Sequence, residues 1–562
     1  MDKITKDAVN AIRILSMDGV QAANSGHPGL PLGAAPMAYE LWAHYLKHNP
    51  KNPQWTNRDR FILSAGHGSM LIYSLLHLFG YGLELDELKN FRQWNSKTPG
   101  HPEYRHTVGV ETTTGPLGAG LSNAVGMAMA EAHLAAVFNR PGYPVVDHYT
   151  YALAGDGCMM EGISSEAMSL AGHLGLGKLI VLYDSNRITI EGSTDLAFSE
   201  DVEKRFEAYG FQVIEVADGN RLGKIARAIE QAKEDTSRPS LIVVKTQIGF
   251  GSPKQGSEKA HGEPLGVDNV GITRQNLEWE ETEPFKIPEE IYAHYEQLAL
   301  RGVSQEDEHA KLVASYRAEY PELAKQWDEY HREITLDELV NNETYWEHSD
   351  KANATRSISG EILNKLKDGY RNIFGGSADL APSTKTNMNG EGSFQKGSYE
   401  GRNLHFGVRE HAMAGIGNGI MMHGGLKAYV STFFVFTDFL KPMLRLSSLS
   451  RVPLIYIMTH DSIVVGEDGP THQPIEQLSM VRAQPNVNVL RPADYTETMA
   501  AWALALSSNE TPSVLALTRQ NLPQLAGTSK EALKGGYIVS KEQGEDFDGI
   551  LLASGSEVSL AI

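Results

Sequence analysis

Short apolar segments alternate with longer segments rich in alanine and glycine over about the first 320 residues. Examples of the apolar segments are "VVDHYTYALA" at 145–154, "KLIVLYD" at 178–184, "FQVIEVA" at 211–217 and "PSLIVVKTQIG" at 239–249. In such a pattern each strand is followed by a helix that returns the chain to a parallel neighbour, usually by a right-handed crossover. The sequence therefore predicts an α/β domain with a doubly wound, mostly parallel sheet over residues 1–320.

The same alternation returns in a second block, which predicts a second doubly wound domain over residues 353–530. Residues 321–352 are polar, acidic and aromatic with little strand character, and we expect them to form a linker with peripheral helices. Residues 531–562 predict the start of a third α/β domain, with a strand at "GILLAS" (549–554) and the first turn of a helix. Because the sequence ends inside that predicted helix, it is expected to be a fragment of a longer chain.

Composition narrows the class of protein. A chain of 562 residues is too long for one core, and its 50 Lys and Arg against 70 Asp and Glu give a formal charge of −20. That balance argues against nucleic-acid binding but allows a local basic pocket. The single cysteine, Cys158, excludes internal disulfides and indicates a reducing compartment. No signal-peptide core or long apolar run is evident, so we expect a cytoplasmic protein that does not associate with membranes.

An aspartate follows the first of two neighbouring predicted strands. "ALAGDGCMMEG" places Asp156 after a strand, residues 158–175 have helical spacing, and "GKLIVLYDSN" is a second strand that ends near Asn186. Since the carboxyl ends of parallel strands share one sheet edge, Asp156 and Asn186 are expected to lie together where such sheets bind ligands. Taken alone, the Gly-Asp-Gly sequence is equally typical of a turn with a helix cap.

These side chains are hard oxygen ligands. With the backbone carbonyl of Ile188 they would suit Mg²⁺, with Ca²⁺ or Mn²⁺ as alternatives, completed by phosphate oxygens and water. Gly157 would let a diphosphate approach the backbone. The combination of this motif with an asparagine at this distance is similar to the signature of thiamine diphosphate enzymes.

Histidines flanked by glycines recur in the first block. They are His27 in "NSGHPGLPLG", His67 in "SAGHG", His101 in "PGHPE" and His261 in "AHGEPLG". Each alone is more often a structural histidine, but four such loops indicate a polyhydroxylated or phosphorylated substrate. They lack the close spacing of zinc ligands. The glycine-rich "TTTGPLGAG" enters a helix whose N-terminus suits an anion.

The second block offers a carboxylate and three aromatic rings. Glu410 in "GVREHAM" precedes a helix of small residues, and Phe433, Phe436 and Phe439 lie in "STFFVFTDF". An acid at a helix start is commonly stabilised by the helix dipole, and such aromatics are commonly core residues. Together, a stacking ring and one buried carboxylate are what a protonated aminopyrimidine would require.

Taken together, the motifs resemble the transketolase family over nearly the whole chain. They are "GHPG", "GPLGAG", "GDG" followed by asparagine, "AHGEPLG", "GGSADL", "REHAM", "HDSIVVGEDGPTHQP" and "RQNLP", in the order of the family. The sequence departs from the family at Ala119, where relatives usually carry glutamine, and in lacking most of the third domain.

The resemblance implies a ketol transfer dependent on thiamine diphosphate, and it assigns roles to individual residues. The implied catalytic residues are Glu410, His27, His67, His101, His261 and His472. The implied cofactor-binding residues are His67, Gly115, Leu117, Gly157, Asn186, His261, Glu410, Phe433, Phe436 and Phe439. The implied metal ligands are Asp156, Asn186 and Ile188. The implied substrate-binding residues are His27, His101, His261, Arg356, Ser383, His460, Asp468, His472 and Arg519.

By the same resemblance, a two-carbon unit passes from a ketose phosphate to an aldose phosphate in the pentose phosphate pathway. Glu410 would hydrogen-bond the pyrimidine ring of the cofactor and promote its activation. The enzyme would be a homodimer with active sites at the subunit interface and with sugar phosphates as substrates. The alternatives are a dihydroxyacetone synthase, another thiamine diphosphate-dependent transferase, or a catalytically silent relative that acts as a binding protein.

Overall fold

The computed structural model describes residues 2–544 and 548–562, and the chain divides into two compact units, 1–321 and 322–562. Each unit contains its own parallel sheet. The α/β class with two doubly wound units, predicted from the sequence, is confirmed.

The sheet of the first unit is parallel throughout and has the strand order β1-β2-β3-β5-β4. Its strands are β1 (Arg60–Leu63), β2 (Thr150–Gly155), β3 (Leu179–Ser185), β4 (Gln212–Val216) and β5 (Ser240–Lys245). The helices of this unit are α1 (Lys3–Ala23), α2 (Gly29–Glu40), α3 (Ser69–Leu78), α4 (Leu85–Lys89), α5 (Ala119–Phe138), α6 (Asp156–Met160), α7 (Gly162–Leu174), α8 (Val202–Tyr209), α9 (Leu222–Glu234), α10 (Val267–Asn276) and α11 (Glu289–Glu319).

The central strands are apolar because both faces of the sheet are covered. Every residue of β2 and β3 is buried, which explains why these strands are almost continuous apolar runs rather than alternating patterns. The predicted crossover helix is α7, and it presents Ile163, Ala167 and Leu170 to the core. Gly175 ends α7 in the left-handed conformation, with φ of 64°. β2, α7 and β3 thus form the predicted parallel unit.

The second unit has a parallel sheet in the order β11-β12-β10-β9-β7-β8, and β6 and β13 pair separately as an antiparallel ribbon. Its strands are β6 (Asn353–Ala354), β7 (Ile373–Ser377), β8 (Asn403–His405), β9 (Lys427–Phe433), β10 (Ile455–Thr459), β11 (Asn488–Leu490), β12 (Ser513–Leu517) and β13 (Asn521–Leu522). The helices that follow α11 are α12 (Pro321–His331), α13 (Leu336–Asn341), α14 (Glu343–Trp346), α15 (Thr355–Gly369), α16 (Ala381–Thr384), α17 (Glu410–His423), α18 (Thr437–Leu449), α19 (Gln477–Arg482), α20 (Tyr495–Ser507) and α21 (Glu557–Ala561).

Short helical turns complete both units. They are a π-helical turn at Leu41–Tyr45 and 3₁₀ turns at Gly66–Gly68, Thr194–Leu196, Glu258–Ala260, Phe434–Phe436, Ile463–Val465 and Lys530–Lys534.

Residues 321–352 take part in the core of the second unit. Leu339, Tyr345 and Trp346 are buried in the same apolar cluster as Trp502 of α20. The indole Nε1 of Trp346 donates a hydrogen bond to the carbonyl of Leu339 at 3.1 Å. This segment is helical, as expected, but it packs as part of the unit rather than as a separate linker.

The predicted strand at 549–554 is wrong. No regular structure is assigned there, and Ile550, Leu551 and Leu552 are 73%, 78% and 94% exposed. An apolar run forms a buried strand only where neighbouring strands satisfy its backbone, and in the described part of the chain no strand pairs with this one. The helical turn expected after it is present as α21.

The helix α5 is long and apolar enough to cross a membrane, contrary to the expectation that no segment would be. Its apolar window is 78% buried inside the protein, however, as in the core helices of soluble proteins. The length and composition of α5 are therefore weak evidence for a membrane span.

Candidate active site

Asp156 and Asn186 lie at the carboxyl ends of the adjacent strands β2 and β3, as their spacing predicted. The Asp156 carboxylate is 4% exposed; its Oδ1 accepts from the Tyr183 hydroxyl at 2.6 Å and its Oδ2 from the backbone N–H of Arg187 at 3.0 Å. Burial raises the pKa of Asp156 above its ordinary value, although these hydrogen bonds act in the opposite direction. The carboxylate is thus held rigidly beside the strand ends.

The Asn186 side chain is fixed by two hydrogen bonds. Its Nδ2 donates to Asp184 Oδ2 at 2.8 Å, and its Oδ1 accepts from the backbone N–H of Ile188 at 2.9 Å. Arg187, between them, has a φ of 62°, which turns the chain sharply after β3. Asp156, Asn186 and Ile188 consequently line one cavity of about 220 Å³.

The donor set fits a hard divalent cation. A carboxylate, an amide oxygen and a backbone carbonyl are suitable ligands for Mg²⁺ when phosphate and water complete its shell. In residues 2–544 and 548–562, no group of three or more His, Cys, Asp or Glu is arranged to hold a metal ion. The three predicted ligand atoms are all oxygens, whereas zinc or iron would favour nitrogen or sulfur ligands.

Four histidine rings cluster beside this cavity, three of them in its lining. The His27 ring centroid lies 5.3 Å from that of His67, 6.3 Å from that of His101 and 5.7 Å from that of His261. The rings of His67 and His261 stack at 5.0 Å. Loops that are far apart in sequence therefore converge on one site.

Burial keeps these histidines neutral at neutral pH. It lowers the pKa of His27 to about 4, with contributions from His261 and Arg92, and it lowers the pKa of His67 well below its usual value. Burial also lowers the pKa values of His101 and His261. Each ring can then offer one N–H donor and one acceptor nitrogen to a ligand.

The glycine-rich loop before α5 forms another part of the cavity, which Gly115, Leu117 and Gly157 line. Gly115 has a φ of 133°, and a Cβ at this position would lie 3.2 Å from the His101 ring. A Cβ at Gly157 would lie 2.7 Å from Leu117 Cδ1. The positive φ of Gly115 explains a glycine there, whereas at Gly157 an added Cβ would meet only the flexible end of the Leu117 side chain.

In the second unit, the carboxylate and the aromatic rings lie at strand ends and helix starts. Glu410 is the first residue of α17 and is half-buried, which raises its pKa. Phe433 ends β9, and its ring is nearly parallel to that of Phe436, with centroids 6.3 Å apart. The His472 ring meets Phe436 edge-on at 5.4 Å. Phe439 is 57% exposed, so it is not the core residue that the alternative interpretation expected.

Cationic side chains converge around His460. Arg356 Nη1 donates to the Ser383 carbonyl at 2.9 Å and to His460 Nε2 at 3.2 Å. The ring of His460 lies against that of Phe433, with centroids 3.7 Å apart and the two planes tilted by 30°. Burial, followed by the charges of Arg356 and Arg519, lowers the pKa of His460 to about 3.

Arg356 and Arg519 come from distant parts of the second block. The Arg356 Nε is buried without a hydrogen-bond partner among the described residues, and Arg519 pairs with Glu467. Asp468 is exposed in the adjoining loop. A buried unpaired N–H on one arginine, with a second arginine close enough to act on its charge, is suited to an anion such as a sugar phosphate.

Sequence reasoning missed three groups that contact the predicted residues. They are Arg92, whose Nη2 lies 3.4 Å from His27 Nδ1, Asp184 and Thr459, whose hydroxyl lies 2.8 Å from His460 Nδ1. Asp184 and Thr459 are within two residues of predicted site residues, so proximity in the chain was an available signal. The role of Arg92 could not be predicted from neighbouring residues in the sequence, because its contact with His27 depends on the tertiary fold.

The parallel sheets and the strand-edge cavity are those of an α/β ligand-binding protein, and matches to two family models place it among thiamine diphosphate-binding enzymes. Residues 4–334 match the family described as "Transketolase, thiamine diphosphate binding domain", and residues 351–524 match "Transketolase, pyrimidine binding domain". The chain belongs to the transketolase family, whose members are transferases.

Individual relatives agree over almost the whole chain. A transketolase of Halalkalibacterium halodurans is 56% identical over 99% of this chain and 84% of its own length, and that of Bacillus subtilis is 52% identical over 100% and 85%. The solved transketolase of Leishmania mexicana has a TM-score of 0.97 at 46% identity and covers 100% of this chain and 83% of its own. The transketolase of Pichia stipitis in complex with sedoheptulose-7-phosphate has a TM-score of 0.94 at 46% identity, with 100% and 84% covered. These relatives do not favour the alternatives of a dihydroxyacetone synthase or a silent binding protein.

Proposed function

We propose that this transferase moves a two-carbon ketol unit from a ketose phosphate to an aldose phosphate, with a divalent cation at Asp156, Asn186 and the Ile188 carbonyl. The observation that carries the proposal is that these three residues line the same cavity as His27, His67 and His261. The complex of the Pichia stipitis relative with sedoheptulose-7-phosphate supports a sugar phosphate as substrate.

When bound, thiamine diphosphate supplies the carbanion chemistry that breaks and forms the carbon–carbon bond. The protein would hold its diphosphate through the cation and through the open backbone at Gly157. Gly115 and Leu117 would support it, together with His67 and His261. The flat ring of the cofactor would be held by the second unit of a partner subunit, where Phe436 would stack on it, with Phe433 and Phe439 beside it, and Glu410 would hydrogen-bond a ring nitrogen. The raised pKa of Glu410 suits a carboxyl group that shares a proton with that nitrogen.

The neutral histidines would orient the sugar and move its protons. Arginine has no acceptor, so the Arg92 contact makes Nδ1 of His27 the acceptor and leaves the proton of the neutral ring on Nε2. His27 can thereby donate to a sugar oxygen. Other hydroxyl groups of the substrate would bind to, and exchange protons with, His101, His261 and His472. Asp468, in its exposed loop, would hydrogen-bond a further hydroxyl group.

The phosphate end of the sugar would bind at Arg356, Ser383, His460 and Arg519. The unpaired Nε of Arg356 supports this assignment, since an oxyanion would supply its missing acceptor. We further propose a cytoplasmic homodimer with active sites at the subunit interface. The single buried cysteine and the acidic composition are compatible with that compartment, and light scattering of the purified protein would measure the oligomeric state.

A coupled assay tests the proposed reaction. Xylulose 5-phosphate and ribose 5-phosphate should give product only when thiamine diphosphate and Mg²⁺ are both present. Replacing ribose 5-phosphate with formaldehyde as acceptor distinguishes a dihydroxyacetone synthase. Turnover with formaldehyde but not with the aldose phosphate would contradict the proposal.

The variant Asp156→Ala tests the metal site. It removes the charged ligand, so the metal concentration needed for half-maximal activity should rise, with activity partly recovered at high Mg²⁺. An unchanged metal dependence would exclude Asp156 as a ligand.

A further inference from the structure

Asp184 is a buried carboxylate next to the proposed metal ligands to which no role has been given above. It lies in β3, one residue before the strand ends, and its relative exposure is 0%. Its Oδ2 accepts the hydrogen bond from Asn186 Nδ2 at 2.8 Å, and its Oδ1 accepts one from the Thr246 hydroxyl. Both oxygens of Asp184 are therefore committed to neighbouring side chains.

Two contacts fix the orientation of the Asn186 amide. The backbone N–H of Ile188 can only donate, so the amide oxygen faces it, and the NH₂ group donates to Asp184 Oδ2 on the other side. The amide oxygen then faces away from Asp184, towards the backbone N–H of Ile188, which it accepts at 2.9 Å. An amide oxygen has two lone pairs, and one is left for a cation in the cavity that Asn186 lines.

Burial raises the pKa of Asp184 to about 7, and a cation bound beside it would favour its negatively charged form. Asp156 and Asp184 are both buried, and their charges interact. The hydrogen bonds to these two carboxylates come from neutral groups: the Tyr183 hydroxyl and the backbone N–H of Arg187 for Asp156, and the Asn186 amide and the Thr246 hydroxyl for Asp184. Two buried carboxylates without a cationic partner are costly unless a cation compensates them.

We propose that Asp184 is a positioning residue for the divalent cation, which orients the Asn186 amide oxygen towards the ion and supplies a second buried negative charge. The inference rests on the proposed metal role of Asp156 and Asn186. It assigns Asp184 to the outer shell of the site, where partners of metal ligands commonly contribute about 10- to 100-fold in metal affinity.

Two substitutions separate the effect of Asp184 on the orientation of the Asn186 amide from the effect of its charge. Asp184→Asn can still accept from Asn186 through its oxygen and donate to Thr246 through its nitrogen, so it keeps the geometry and removes the charge. Asp184→Leu removes both. Mn²⁺ is the probe: the free ion is quantified by electron paramagnetic resonance at saturating thiamine diphosphate, so that no turnover is needed. We expect Mn²⁺ affinity to fall about 10-fold in Asp184→Asn and up to about 100-fold in Asp184→Leu.

A double-mutant cycle with Asn186→Ala tests whether Asp184 acts through Asn186. In the Asn186→Ala background there is no amide to orient, so only the charge effect should remain. Asp184→Leu and Asp184→Asn should then lower Mn²⁺ affinity by the same factor. If the leucine variant is still the weaker binder by the wild-type margin, Asp184 does not act by orienting Asn186.

Thr246→Val is the matched control because it removes the other hydrogen bond of Asp184 and leaves the Asn186 contact in place. A purely structural Asp184 would show lowered thermal stability of the metal-free protein in both Asp184→Leu and Thr246→Val, with Mn²⁺ affinity within twofold of wild type. That result overturns the inference. If Asp184→Leu does not fold, Asp184→Asn decides, and wild-type Mn²⁺ affinity in that variant overturns it.

Asp156→Ala distinguishes this inference from the proposed function. If Asp156→Ala leaves Mn²⁺ binding unchanged, the proposed metal site itself is wrong. If Asp156→Ala abolishes binding while both Asp184 variants bind as wild type does, the metal site stands and only the role of Asp184 fails.

Discussion

Replacing Arg519 with alanine should impair phosphorylated donors selectively. Arg519 acts electrostatically on both Arg356 and His460, and Arg356 donates only to neutral acceptors, the Ser383 carbonyl and His460. Burial and the charge of Arg519 lower the pKa of Arg356, which shows that the positive charge there is poorly compensated. A phosphate group would relieve this imbalance and pair with Arg519.

The size of the effect follows from the exposure of the groups. A charge-assisted hydrogen bond to phosphate contributes about 1.5–3 kcal/mol, which corresponds to about 10- to 150-fold in kcat/KM. In the free protein Arg519 pairs with Glu467, but these side chains are 36% and 70% exposed. Such pairs contribute about 0–1 kcal/mol, so competition from Glu467 reduces the gain from phosphate by at most about fivefold.

The assay compares kcat/KM for xylulose 5-phosphate and for hydroxypyruvate, which has no phosphate. Arg519→Ala should lower the first by about 10- to 150-fold, mostly through KM because the phosphate is remote from the reacting carbon, and leave the second nearly unchanged. Glu467→Gln is the matched control: by freeing Arg519 it should improve the phosphorylated donor by at most about fivefold. Equal losses for the two donors in Arg519→Ala would refute the reasoning.

Three further substitutions test other parts of the site. Glu410→Gln keeps the shape of the side chain but not its proton affinity, so deuterium exchange at the cofactor C2 position should slow greatly while the cofactor still binds; exchange at the wild-type rate would remove Glu410 from activation. The pKa of His27 is about 4 in the folded protein and about 6.5 when unfolded, so the unfolded chain binds more protons between these values and stability falls as pH drops through this window. Urea unfolding at pH 7 and pH 5 should show a smaller loss in His27→Gln than in wild type or in the exposed-site control His405→Gln, and an equal loss would contradict the shift. Gly157→Ala would place a Cβ 2.7 Å from the flexible end of Leu117, so melting temperature should change little while thiamine diphosphate affinity falls; Gly162→Ala, where nothing lies within 4 Å of the added Cβ, should bind as wild type does.

Much of the architecture was predictable because buried parallel strands consist of nearly continuous apolar residues. β2, β3, β4 and β5 lie, to within one residue, inside the apolar segments at 145–154, 178–184, 211–217 and 239–249. β1 was not predicted because it is only four residues long and begins with a charged residue, Arg60. Arg60 is buried, and its guanidinium donates to the carbonyls of Arg58 and Thr56. A local pattern cannot show that a charged residue will find such acceptors. The wrong strand prediction at 549–554 has the same cause: the segment is apolar, but a local pattern does not show whether neighbouring strands will hydrogen-bond to it.

The sequence predicted where the backbone places the site residues better than it predicted the contacts between their side chains. The rule that parallel strands end at one edge placed Asp156 beside Asn186, since it depends only on topology. The convergence of His27, His67 and His261 depends on loops whose paths the sequence does not encode locally. Their glycine-flanked loops singled these histidines out in the sequence, but only the resemblance to a family assigned them to one site, and it also supplied Arg356 and Arg519.

The tautomer of His460 follows from the network and could not follow from the sequence. Arg356 can only donate, so Nε2 of His460 accepts, and the proton of the neutral ring must lie on Nδ1. That N–H is directed at the Thr459 hydroxyl, 2.8 Å away. A neutral His460 therefore has both ring nitrogens engaged, and its low pKa keeps it neutral in the free protein. Its effect on an approaching phosphate is then exerted through Arg356, which it holds by the Nη1 contact while the Nε of that arginine has no hydrogen-bond partner among the described residues.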